Sequence, residues 1–176
     1  EASVYYGVPV LEGYDAVYIR RFGQFIGSVD SKKLTDSARS GVDLPLASSN
    51  ILPIANFLGV RYFVHKITDG QKGWEFPFWE YSPESIKLIF DDGKYQVLEN
   101  TKAYPRAFLV NKVIAENNSQ KILDNMFDPK TDLLRTAIVE GNVSSSSFTS
   151  GSAKIISYSP NFVKIETNTR GKSFLV

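Results

Sequence analysis

Cysteine is absent from the chain. That excludes disulfides, thiolate metal sites and a cysteine nucleophile. Histidine occurs once, as His65, so a multi-histidine metal site is excluded and any His-dependent triad would have to use that ring. Long apolar runs are missing: none approaches the ~18 residues a membrane helix needs. The start, Glu1-Ala2-Ser3-Val4-Tyr5-Tyr6, has no basic end and no apolar stretch, and so does not read as a secretory signal. It has no Met and reads as an internal point of a longer chain. There is no surplus of either charge sign: 20 Lys and Arg stand against 19 Asp and Glu, a net charge of +1. A wholesale binder of nucleic acid or of anionic membrane would carry a larger basic excess. Nucleic acid is therefore not an expected partner. The phosphate loops G-x-x-x-x-G-K and G-x-G-x-x-G and the G-x-S-x-G elbow are also missing. No cofactor is expected.

What is present is aromatic. The 176 residues include 12 Phe, 9 Tyr and 2 Trp, or 13% of the chain. Charged residues make up 22% and hydrophobic residues 43%, an ordinary globular balance. The length suits one domain, or one domain with a small appendage.

Helical spacing places Tyr14, Val17, Tyr18, Phe22, Phe25 and Ile26 on one stripe, with Asp15 as N-cap and Gly27 as stop. Ser28 to Ser49 reads as a polar loop. Ser49 or Asn50 should cap a short helix from Leu52 to Leu58, with Pro53 in its first turn and Gly59 ending it. Val60 to His65 is dense in β-branched and aromatic residues and reads as a strand. Ile86–Phe90 and Tyr95–Leu98 flank Asp91-Asp92-Gly93-Lys94, a strong hairpin signal. Pro105 to Ile114 reads as a further strand. Ser119 should cap a short helix, Gln120 to Phe127, broken by Asp128-Pro129. Thr136–Val139 is a short strand.

Residues 141 to 152 are Ser- and Gly-rich and read as a flexible connection. Ala153–Tyr158, Phe162–Thr167 and Ser173–Val176 close the chain as strands. The expected fold is α+β and β-rich, with sandwich-like antiparallel sheets and two or three short helices. An α+β portion would span 1–140, a connection 141–152, and terminal strands of the same domain 153–176.

Few residues offer chemistry. Asp91 and Asp92 form a carboxylate pair, but inside a turn, where turn chemistry explains them. His65 at a strand end reads as structural or surface-exposed. Trp74, Phe76, Phe78, Trp79 and Tyr81 crowd into eight residues around Pro77. Such rings can stack on sugars, seat at a membrane interface or plug a core. They are the candidate carbohydrate or membrane contacts. Arg106 at the head of a strand, if buried, needs an anionic partner, for which Glu99 is the candidate. Asn117-Asn118-Ser119 and Asn142-Val143-Ser144 match the glycosylation acceptor. No catalytic residue and no metal ligand set is expected.

Several ordered segments resemble the YfhO family of bacterial multi-spanning membrane proteins. They are Gly13-Tyr14-Asp15 with Tyr18-Ile19-Arg20-Arg21-Phe22, and Leu58-Gly59-Val60-Arg61-Tyr62-Phe63-Val64. Next come Leu98-Glu99-Asn100 with Tyr104-Pro105-Arg106-Ala107-Phe108, which is similar to the family's "yeN…lPRafvv". Asp128-Pro129 with Arg135-Thr136-Ala137-Ile138-Val139-Glu140 follows, and Ala153 to Asn161 ends the set. The resemblance implies a larger protein whose membrane helices resemble polyprenyl-phosphate-sugar-dependent glycosyltransferases. In that group the catalytic carboxylates lie in loops between membrane helices. The present residues would be its extracytoplasmic domain, non-catalytic by itself, with the membrane-embedded remainder as partner. It would assist binding of an acceptor glycan or cell-surface polymer. The family's terminal strand normally runs on into "yyPGW", which is not found here. The alternative is an independent carbohydrate-binding module. Membrane helices encoded upstream favour the first, and a signal peptide directly before Glu1 the second. A free-standing hydrolase would need two facing carboxylates about 5–10 Å apart, and nothing in the sequence pairs them.

Overall fold

The computed structural model describes residues 6–11, 13–14, 19–35, 41–42, 44–67, 76–144 and 147–176. Among these the fold is α+β and β-rich, with short helices and small sheets. The chain divides into two compact units, Glu1–Ala103 and Tyr104–Val176.

In the first unit, β1 (Gly13–Tyr14) pairs antiparallel with β2 (Gly41–Val42). Helix α1 spans Arg20–Gly27 and buries Gly23 and Ile26. It ends where expected, at Gly27. Its N-cap is Ile19, in extended backbone and with no side-chain capping bond. The expected N-cap, Asp15, lies outside the described residues, and the helix is shorter than the aromatic stripe suggested. Helix α2 spans Ile51–Phe57 after Asn50, with Pro53 in its first turn. It stops through a Schellman arrangement: Val60 N–H donates to the Ala55 carbonyl at 2.8 Å and Gly59 N–H to the Asn56 carbonyl at 3.0 Å. That motif needs a left-handed residue, and Gly59 supplies it with φ +68°.

A three-stranded antiparallel sheet follows, in the order β3 (Tyr62–Lys66), β5 (Tyr95–Asn100), β4 (Ile86–Asp91). The β4–β5 turn is the Asp-Gly hairpin read from the sequence, with Gly93 at φ +81°. One face of the sheet packs on the helices. Ile26, Leu44, Ile51, Leu52, Ala55, Phe63, Phe76, Ile86 and Leu98 form that core.

In the second unit, β6 (Leu109–Val110) and β7 (Lys112–Ala115) share the expected single strand, with Asn111 between them. Helix α3 (Ser119–Phe127) links β7 to β8 (Thr136–Val139), and β7 and β8 run parallel. This pair departs from the antiparallel expectation. Leu123 is buried on α3, and a helix of that length is the crossover a parallel pair requires. The N-cap is Asn118 rather than Ser119. Its side chain accepts from Lys121 N–H at 3.0 Å.

The tail begins with the hairpin β9 (Gly151–Ser159) and β10 (Phe162–Thr169). Strand β11 (Phe174–Leu175) returns to pair with β6. That return ties the tail to residues of the second unit. Val110, Val113 and Ala137 form the small core, packed by Phe108, Val139, Val143, Phe148 and Phe174.

Candidate functional site

The aromatic segment sits on the core-facing side of the three-stranded sheet. Phe76 is 2% exposed. Its ring stacks on Phe63 at 4.0 Å and on Tyr81 at 5.6 Å. Phe76 is therefore core, which corrects its assignment as a contact residue: a fully buried ring offers no face to a ligand. Phe78 is half-buried and meets the edge of His65 at 5.9 Å. His65 is itself buried and packs as a structural ring.

Phe78–Glu80 form a single 3-10 turn after Pro77. Phe78 N–H donates to the Phe76 carbonyl at 2.7 Å and Glu80 N–H to the Pro77 carbonyl at 3.0 Å. The turn thus rests on buried Phe76 and half-buried Phe78, with Trp79 outward. Trp79 is 59% exposed and meets Phe78 edge-on at 5.3 Å. Tyr81 is half-buried, and burial, with the Glu80 charge second, pushes its phenol up. The hydroxyl stays protonated through neutral pH and serves as a donor. Trp74 lies outside the described residues. The segment therefore presents one outward indole, edge-on to Phe78, while the half-buried Tyr81 ring lies against Phe76.

The acidic pair is consumed by its turn. Asp91 accepts Gly93 N–H at 2.8 Å and Gln96 Nε2–H at 2.7 Å. Asp92 accepts Lys94 N–H at 2.9 Å and Tyr95 N–H at 2.6 Å. Both carboxyls are lowered, Asp91 chiefly by Gln96 and Asp92 chiefly by Tyr95 N–H. A general acid needs a raised pKa, so this pair is unsuited to acid catalysis.

Glu99, on β5, takes as its partner Arg61, the residue just before β3, at 3.3 Å. Arg106 is exposed and stands 5.7 Å over the Tyr158 ring. Exposure removes the premise for pairing it with Glu99, because a solvated guanidinium needs no buried anion. The first glycosylation match is absorbed by structure: Asn117 Oδ1 accepts Gly141 N–H at 2.7 Å, and Asn118 caps α3.

Among the described residues no group of three or more His, Asp or Glu is placed to hold a metal. No helix among them is long and apolar enough to cross a membrane. Sequence reasoning missed a second surface, the outer face of the β3–β5–β4 sheet, which exposes Tyr62, Val64, Phe90 and Tyr95. Alternation along β3 was the available signal: Tyr62 and Val64 must oppose Phe63 and His65. No family model matches this chain, and no curated protein or solved structure matches it.

Proposed function

We propose that this chain is a non-catalytic extracytoplasmic domain of a polytopic, glycosyltransferase-like membrane protein, and that it helps hold an acceptor glycan or cell-surface polymer. The resemblance of its ordered segments to the YfhO family supports the parent assignment. The observation that carries the binding role is the braced Trp79. An indole fixed by its own turn presents a flat apolar face at little entropic cost, which suits the apolar face of a sugar ring. Turnover belongs to the membrane portion of the parent.

The test is calorimetric titration of the chain with soluble bacterial cell-envelope polysaccharide. Trp79→Ala should weaken binding tenfold or more, equivalent to about 1.4 kcal/mol. The melting temperature should hold, because the side chain is exposed. Equal binding by the parent and Trp79→Ala removes the turn as the site. Sugar transfer from a polyprenyl-phosphate donor by the chain alone overturns the non-catalytic role.

A further inference from the structure

The outer face of the three-stranded sheet is a grid of known register. Tyr62 stands opposite Glu99, and Glu99 opposite Lys87. Val64 stands opposite Val97, and Val97 opposite Phe90. Lys66 stands opposite Tyr95. A register shift between Leu88 and Phe90 completes the middle row. Without that extra residue Ile89 would face Val97, and Phe90 would turn to the core side opposite Gln96. The bulge thus turns an aromatic ring outward.

The middle row is apolar and uncovered: Val64 is 73% exposed and Phe90 50%. Tyrosines stand at two of its corners, and cations surround it. The Arg61 guanidinium lies 5.5 Å over Tyr62, and the Lys94 ammonium 5.4 Å over Tyr95. Lys66 and Lys87 are exposed within the grid. Glu99 is the one carboxylate in the grid, and Arg61 already engages it at 3.3 Å. Asp91 stands in the core-side row opposite Gln96, and Asp92 in the hairpin turn keeps its negative charge. Four cations thus stand against two carboxylates, Glu99 and Asp92, at and beside this face. The whole-chain charge of +1 conceals this local excess.

We infer that this face docks on an anionic lipid surface. The apolar row meets the acyl boundary, the tyrosines lie at headgroup depth, and the lysines reach lipid phosphates. A sugar fits less well, because Val64, Val97 and Phe90 offer no side-chain hydrogen-bonding group at the centre of the face. A second copy fits less well too, because it would bring Arg61, Lys66, Lys87 and Lys94 against the same cations. The inference goes beyond the acceptor-holding role and uses none of its residues.

The test is co-sedimentation of the chain with vesicles of phosphatidylcholine alone and of phosphatidylcholine with phosphatidylglycerol, at low and high salt. Binding should require the anionic lipid and weaken with salt. The pair Lys66→Gln and Lys87→Gln should weaken partitioning about 30-fold. The pair Val64→Ser and Phe90→Ser should weaken it about tenfold or more. Lys66 and Lys87 are exposed, so the melting temperature should hold in the lysine pair. The second pair removes strand packing at half-buried Phe90 and should melt lower but still cooperatively. Trp79→Ala should bind vesicles like the parent, which lets the two readings fail separately. Three outcomes overturn the inference. One is no preference for anionic vesicles. Another is parent-like binding by both paired variants. The third is a dimer in sedimentation equilibrium that Val64→Ser with Phe90→Ser dissolves while vesicles bind nothing.

Discussion

Asn100→Ala removes a side chain that is 1% exposed and closes three hydrogen bonds at one point. Its Nδ2–H donates to Asn56 Oδ1 at 2.8 Å and to the Val60 carbonyl at 2.9 Å. Its Oδ1 accepts Lys102 N–H at 3.0 Å. These bonds tie the last turn of α2, the approach to β3 and the exit from β5. Each is worth about 1 kcal/mol net, so the loss is about 3 kcal/mol. The orphaned Val60 carbonyl raises that figure. For a unit of this size each kcal/mol moves the midpoint by about 4–8 °C, giving a fall of about 12–24 °C. Tryptophan fluorescence during urea and thermal unfolding is the assay. Both tryptophans belong to the first unit, so the signal follows the unit that is perturbed.

Asn100→Asp sharpens the test. The new carboxylate keeps the bond from Lys102 N–H but faces two acceptors, Asn56 Oδ1 and the Val60 carbonyl. The Asn56 amide can rotate to donate; the carbonyl cannot. Burial and these acceptors raise the folded pKa of the new carboxyl above its unfolded value of about 3.9. A raised pKa contributes stability that is full below the unfolded value and lost as pH rises through the folded one. Asn100→Asp should therefore gain stability relative to Asn100→Ala on acidification. A cost below about 1 kcal/mol for Asn100→Ala would refute the reasoning, as would parallel pH profiles for the two variants.

Phe76→Ala, which empties the stack between Phe63 and Tyr81, should cost about 3–5 kcal/mol in the same unfolding assay. The lowered carboxyls of Asp91 and Asp92 contribute hairpin stability that is full above the ordinary carboxylate pKa and lost as pH falls through their lowered values. Asp91→Asn with Asp92→Asn should flatten that acid limb in a urea-midpoint titration. Gly151→Ala places a methyl against the Asn168 carbonyl oxygen and 2.9 Å from Leu109 Cδ1. It should cost about 1–3 kcal/mol and raise amide exchange at the base of the β9–β10 hairpin.

Local punctuation was legible where one residue type carries the geometry. Gly59, Gly93 and Gly27 end or turn elements where they were expected to. Pro53 sits in a first turn because its missing N–H costs nothing there. The parallel β7–β8 pair was not legible. Four-residue strands carry too little pattern to reveal direction, and α3 reads alike as a crossover or a surface helix. The unit boundary was hidden for a related reason. Contacts far apart in sequence, such as the pairing of β11 with β6 and the packing of Phe148 on Val110 and Val113, show that the tail belongs with Tyr104–Ala115. In the aromatic segment, composition located the cluster but could not sort it. Phe76 and Trp79 differ by three positions and by the whole distance from core to solvent: Phe76 lies before the 3-10 turn and is buried, whereas Trp79 lies within the turn and is exposed.

The aromatic abundance divides along the same line. Phe63, Phe76 and Tyr81 stack, Phe25 meets Phe57 at 6.0 Å, and Phe148 meets Phe174 at 5.7 Å. Core packing accounts for these rings. It does not account for Tyr62, Trp79, Phe90 or Tyr95, which strand parity, a bulge and a short turn hold in solvent. An exposed ring adds little to folding stability, and a contiguous group of them is an aggregation hazard. The local geometry spent on presenting them is therefore better explained by contact than by folding. The two surfaces differ in the company their rings keep. Trp79 stands exposed on a single short turn, a setting for one sugar ring. Phe90 stands in an apolar row bordered by four cations, a setting for an extended anionic surface. That difference lets substitutions on one surface be read without disturbing the other.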